Sequence, residues 1–216
     1  DSRRADQAVP ALGPEGPTAA PTAQAEWTIM YYINAKNNLA PYVDPDLNHM
    51  EEVGSSDGLK IVSEVGKSGT STKVHLMRKD DDAGLVTSPV VRDLGGVDMG
   101  DWRHLAEFGK WVKAQYPARR YMLSIWNHGS GWVQGAPAAA SGPFSPQGIS
   151  YDDETGNHIS TTDLAKALAA MGGVDIYASD ACLMQMAEVG YELREQAGVI
   201  LGSEENEPAV GWNYAL

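Results

Sequence analysis

Tyr121-Met122-Leu123-Ser124-Ile125-Trp126 runs directly into Asn127-His128-Gly129-Ser130-Gly131-Trp132, and further along Val174-Asp175-Ile176-Tyr177-Ala178 runs into Ser179-Asp180-Ala181-Cys182. Both are short, mostly apolar runs bounded by small polar residues, the pattern of a strand covered on its two faces. In an open sheet of parallel strands, functional groups collect just beyond the carboxyl ends. If these two strands are neighbours, His128 and Cys182 leave the same edge of the sheet and can meet.

The rest of the chain supplies the elements such a sheet needs. Trp27 to Ile33 is another continuous apolar run. Leu59 to Val65 and Lys73 to Arg78 read as strands, with a turn at Asp80 to Gly84 and a return strand near Val86, a hairpin excursion reaching to Val91. Asp46 to Val53 reads as a helix. A longer one starts near Gly100, carries Leu105, Phe108, Val112 and Tyr116 at helical spacing, and stops at Pro117. Ser160, three residues before Asp163, caps a helix through Met171. Leu183, Met186, Gly190 and Leu193 share one face of an expected helix from about Cys182 to Glu195, before a short strand at Val199 to Gly202. Alternating strands and helices predict an α/β fold, with a mostly parallel central sheet and helices on both faces.

Composition narrows the function. The 216 residues carry 16 basic and 29 acidic side chains, a formal net charge of −13. That balance argues against nucleic acid or an anionic membrane as partner, because both are met with Lys and Arg. No run of 18 apolar residues suggests a membrane span. Residues 1–26, rich in Pro, Ala, Gly and Thr, hold too little apolar surface to order themselves and read as a flexible tail or pro-segment. The folded domain is expected over 27–216. Such a tail ahead of a folded domain suits an exported bacterial protein: secreted, periplasmic or surface-held. Val133 to Gln147 has a similar loose composition.

A single cysteine, Cys182, excludes an intrachain disulfide framework and every CxxC motif. At the expected start of a helix, its thiolate gains from unpaired backbone N–H groups and the positive end of the dipole. His128 can hold that thiolate or give a proton to a leaving amine. Gly129 lets the backbone approach a substrate carbonyl, so the N–H groups of Gly129 and Cys182 are candidate oxyanion donors. Asp180, two residues before the cysteine, is placed to read a basic side chain. A lone cysteine is also a common small core residue, and a histidine at a strand end is often structural. His49, His75, His104 and His158 share no metal-ligand spacing, so no metal site is expected.

Several segments together resemble the clostripain family of caspase-like cysteine peptidases. They are Trp27 to Tyr31 with Asn37-Asn38-Leu39, Val97 to Asp101, Trp126 to Trp132, Tyr151-Asp152-Asp153, Asp180 to Met184 and Ser203-Glu204-Glu205. Cys182 follows His128 by 54 positions, near the caspase spacing of about 50. The resemblance implies a caspase-like three-layer sandwich and a thiol endopeptidase acting on proteins or peptides with a His128/Cys182 dyad. It further implies an acidic S1 pocket for Arg or Lys, with Asp180 and Glu205 as its candidate residues. No cofactor is needed for that chemistry; calcium enters through the resemblance, since some members bind it. The family often has Gly-Asp-Gly-Trp where this chain has Ala209-Val210-Gly211-Trp212, so a pocket acid is expected to be missing at Val210. No Lys or Arg lies between Tyr121 and Ala165, so a basic-specific enzyme does not cut itself in the 133–147 stretch. The chain stops where family members continue, which predicts a missing last strand, C-terminal segment or second chain. The alternative is a non-catalytic peptide-binding or surface protein on the same fold.

Overall fold

The longest strand sets the frame. Within β1 (Ala25–Ala35), Met30 and Tyr32 point to one face while Ile33 and Ala35 point to the other, and all four are buried. A strand buried on both sides must be central, and β1 is flanked by parallel partners on each side, β2 (Leu59–Lys67) and β5 (Ala118–Trp126). The computed structural model describes residues 24–132 and 147–215.

Beyond β2 the sheet continues through β3 (Thr72–Leu76) and β4 (Val90–Gly95), both antiparallel. Beyond β5 a small hairpin intervenes in the chain, β6 (Ile149–Asp152) and β7 (Asn157–Ile159), which pair with each other outside the main sheet. The sheet itself goes on through β8 (Val174–Asp180) and β9 (Ala197–Leu201), both parallel to β5. The order is β4-β3-β2-β1-β5-β8-β9, seven strands with four consecutive parallel pairings.

Helices cover both faces. On one side, α1 (Val43–Val53) lays Val43, Leu47 and Met50 against Ile33, Ile61, Val65 and Trp126, with Tyr214 packed into the same cluster. On the other, α2 (Trp102–Gln115), α3 (Thr161–Ala170) and α4 (Ala187–Leu193) enclose a larger core with Met30, Tyr32, Leu123, Ile125 and Tyr177. Local chemistry sets the helix starts. The Asp101 carboxylate accepts from Arg103 N at 2.8 Å, and Ser160 Oγ accepts from Asp163 N at 3.1 Å, each satisfying an otherwise orphaned donor of the first turn. The result is the expected three-layer α/β sandwich.

Three sequence expectations need correction. The return strand begins at Val90 rather than near Val86, because Glu51 Oε1 accepts from Thr87 N and Ser88 N and pins that stretch against α1. The helix expected from Cys182 starts only at Ala187: Leu183 takes a left-handed φ of 63°, which no helix accommodates. The expected tail includes Ala25 and Glu26, yet both lie in β1, with Ala25 paired to Ala118. The remainder of that tail up to residue 23, and the loose stretch at 133–146, lie outside the described residues.

Candidate active site

Register alone brings the two reactive residues together. Trp126 on β5 is paired with Asp180 on β8, and Asn127 N still donates to Asp180 O at 3.2 Å. His128 and Cys182 each stand two positions past that matched pair, on adjacent parallel strands. Both line one cavity of about 100 Å³, with Leu39, Trp126, Asn127, Asp180, Ala181, Glu207, Pro208, Ala209 and Gly211.

The histidine loop is seated on the cysteine loop by its glycines. A Cβ on Gly129 would collide with the carbonyl oxygen of Cys182 and would lie 2.9 Å from Met184 Cγ. Gly131, at φ 57°, is pressed against Leu183 O and Met186 Sδ in the same way. Gly129 is therefore required by the approach of the two loops, a reason the sequence did not show. Buried Asn127 locks the base of this arrangement. Its side chain donates to Asn34 O at the end of β1, and its Oδ1 accepts from Tyr151 N at 2.8 Å.

Asn38 orients the histidine. Its Oδ1 lies 2.7 Å from His128 Nε2, and an amide oxygen can only accept, so Nε2 carries the proton and Nδ1 keeps its lone pair. Partial burial pushes the His128 pKa below the ordinary value, against the opposing pull of the Asp153 charge, and favours the neutral ring at pH 7. Asn38 was among the resembling segments but carried no assigned role; an amide just past a buried central strand was the available signal.

Cys182 sits in a turn, so the helix-dipole argument for its thiolate does not apply. A different donor takes its place: Glu207 N points at Cys182 Sγ from 3.3 Å. The chain beyond β9 is held there because Leu183 N donates to Glu205 O at 3.1 Å and Gln185 N to Ser203 O at 2.9 Å. A backbone N–H aimed at sulfur stabilises the charged form as a helix terminus does.

Asp180 is 5% exposed at the cavity wall. Its Oδ2 accepts from Trp212 N at 3.0 Å and from the Tyr214 hydroxyl. Glu205, the other expected pocket acid, is exposed and does not line the cavity, since its backbone is turned to Leu183 and Ser203. Glu207 lines it instead. Its Oε1 accepts from Trp212 Nε1 at 2.9 Å, and burial beside Asp180 pushes its carboxyl up to about 7. Val210 is 65% exposed and absent from the lining. Among the described residues, no group of three or more His, Cys, Asp or Glu side chains could hold a metal ion.

A parallel-centred sandwich that delivers one histidine and one cysteine from neighbouring strands into a shared cleft has the architecture of the caspase-like cysteine peptidases. The model of the clostripain family matches residues 31–216, and the chain belongs to that family. It is 28% identical over 196 residues to clostripain from Hathewaya histolytica, covering 79% of this chain and 36% of that protein. Among solved structures it is similar to a secreted C11 cysteine protease from Bacteroides thetaiotaomicron in complex with an irreversible peptide inhibitor. There the TM-score is 0.74 at 29% identity, over 88% of this chain and 52% of the other. An inactive zymogen C11 protease from Parabacteroides distasonis shares the fold with a TM-score of 0.67 at 24% identity, over 89% of this chain and 52% of that one. The chain thus spans between about a third and a half of the relatives it matches.

Proposed function

We propose that the protein is a cysteine endopeptidase in which Cys182 attacks the scissile carbonyl and His128 manages the proton. The observation that carries this reading is the paired register of β5 and β8, which sends both residues into one cleft from matched positions. The neutral His128 takes the thiol proton on Nδ1, Asn38 holds the ring through Nε2, and the Glu207 N–H supports the thiolate. The thiolate adds to the carbonyl carbon, and the backbone N–H groups of Gly129 and Cys182 are the donors for the oxygen that gains charge. His128 then returns its proton to the leaving amine, leaving an acyl-enzyme for water to hydrolyse.

Asp180 at the cavity wall supports a preference for Arg or Lys at P1. The substrate class is a protein or peptide, in line with the peptide inhibitor bound by the Bacteroides relative. Export from the cell fits a relative described as secreted; among the described residues no helix is long and apolar enough to cross a membrane.

The test is a fluorogenic peptide series varied at P1. Cys182→Ala should abolish turnover while the thermal transition stays put, and retained turnover removes Cys182 as the nucleophile. Asp180→Asn should lose Arg and Lys substrates selectively; an equal loss on every P1 residue makes Asp180 structural. Iodoacetamide labelling of Cys182 well below pH 8.5, the region of a free thiol, separates an activated cysteine from a binding protein that merely shares the fold.

A further inference from the structure

Trp212 bridges two carboxyl groups in the cavity. Its backbone N–H is given to Asp180 Oδ2 at 3.0 Å and its indole N–H to Glu207 Oε1 at 2.9 Å. The other Glu207 oxygen, Oε2, is buried and receives no hydrogen bond from any described donor. Burial raises that carboxyl, and the Asp180 charge raises it further, against the Ala181 backbone N–H, which lowers it. An acceptor without a donor beside a second acceptor is costly, and a single proton between the two removes the conflict. We propose that Glu207 is the second specificity-determining carboxylate of the P1 pocket, and that it shares one proton with Asp180 until a cationic P1 side chain enters and displaces it. The inference rests on the basic-P1 reading above and extends it.

The charge balance is explicit. The empty pair carries one proton and one negative charge. A guanidinium or ammonium group arrives with a positive charge, the proton leaves to solvent, and the pocket then holds two carboxylates against one cation. Cation recognition therefore strengthens as the pH rises through the titration of Glu207, whose carboxyl burial holds near 7. The neighbouring groups on other elements are Asp46 on α1, Tyr31 on β1 and Tyr214 on the C-terminal segment, with Cys182 and His128 across the cavity. The tyrosines stay protonated, because burial pushes Tyr31 up to about 12 and Tyr214 well above its ordinary range. Asp46 is the one rival, since its carboxyl is also held near 7.

The experiment compares two fluorogenic peptides identical except for Arg or citrulline at P1, from pH 5.5 to 8.5. Citrulline keeps the shape and removes the charge. Taking the ratio of the two kcat/KM values cancels the titration of Cys182 and His128, which both substrates share. In the unaltered protein the ratio should rise about tenfold across pH 7. Glu207→Gln keeps an acceptor for Trp212 and mimics the permanently protonated carboxyl. It should flatten the profile and lower the ratio at pH 8 by about tenfold, while Asp46→Asn keeps the rise. An unchanged ratio and slope in Glu207→Gln overturns the proposal. So does a rise that disappears only in Asp46→Asn. A ratio near one at every pH in the unaltered protein refutes the basic-P1 reading itself. An activity-free check is protection of Cys182 from iodoacetamide by n-butylguanidinium. Protection should be stronger at pH 8 than at pH 5.5 in the unaltered protein and independent of pH in Glu207→Gln; pH-independent protection in both overturns the shared proton.

Discussion

Gly129→Ala isolates the contact on which the site depends. The added methyl group would meet three atoms of the cysteine loop: the Cys182 carbonyl oxygen, Met184 Cγ at 2.9 Å and Ala181 Cβ at 3.0 Å. Contacts under 3.0 Å are not tolerated by a Cβ, and the tightest partner here is backbone rather than a flexible side chain. Neither loop can yield freely, because Asn127 N is bonded to Asp180 O on one side and Leu183 N to Glu205 O on the other. Overpacking of this kind costs about 1–3 kcal/mol of stability. Rate should suffer more. Separating His128 from Cys182 by about 1 Å is worth about a hundredfold in turnover when geometry is what catalysis uses. Urea denaturation gives the first quantity, and kcat with the best Arg or Lys peptide gives the second. A variant destabilised by that amount but cleaving at an unaltered rate would refute the claim that apposition of these loops sets the catalytic geometry.

Two further predictions follow from neighbouring groups. Asn38→Ala should lower kcat about tenfold with KM little changed, because His128 loses the acceptor that fixes its tautomer, whereas Asn38→Asp should restore part of the rate and move the acid limb of the pH profile upward. An unaltered rate in the first variant and an unmoved profile in the second would remove Asn38 from any positioning role. Asp46 concerns stability. Burial pushes its carboxyl up to about 7; the Trp126 indole bond opposes that rise and the Asp180 charge adds to it. An acid whose folded-state pKa is raised holds its proton longer than the unfolded chain does, so folding loses stability as pH climbs from about 4 to about 7. Asp46→Asn removes that loss while keeping an acceptor for Trp126. Its stability relative to the unaltered protein should gain about 1–2 kcal/mol at pH 8 and converge toward pH 4; a pH-independent difference counts against the shift.

What the sequence revealed and what it hid have separate physical origins. β1, β5 and β8 were legible because strands covered on both faces need apolar side chains in both directions, and that leaves a dense local signal. That His128 and Cys182 leave the same edge followed if those strands are neighbours; the register linking Trp126 to Asp180 did not, because pairing between distant strands leaves no local mark. The helix expected at Cys182 failed although Leu183, Met186, Gly190 and Leu193 kept the right spacing. Bonds from Leu183 and Gln185 to the distant Glu205 and Ser203 hold that stretch as a turn, and no window along the chain contains such a contact. The same pairing decides between Glu205 and Glu207. It occupies the Glu205 carbonyl and carries the chain two residues further before a carboxyl reaches the cavity. The β6–β7 hairpin escaped notice because strands of four and three residues are too short to show a period.

The clasp beside the histidine has an evolutionary consequence. Ser130 N donates to Gly148 O at 2.9 Å, Gly148 N donates to Ser130 Oγ at 3.1 Å, and Gly129 bridges to Ile149. The clasp thus joins Ser130 and Gly148, which stand 18 positions apart in sequence. Doubling the length of such an excursion costs only about 0.6 kcal/mol in closure entropy. Chain inserted between Ser130 and Gly148 leaves that clasp, and His128 beside it, where they are. The clasp makes the position of the histidine independent of how much chain runs between its two ends.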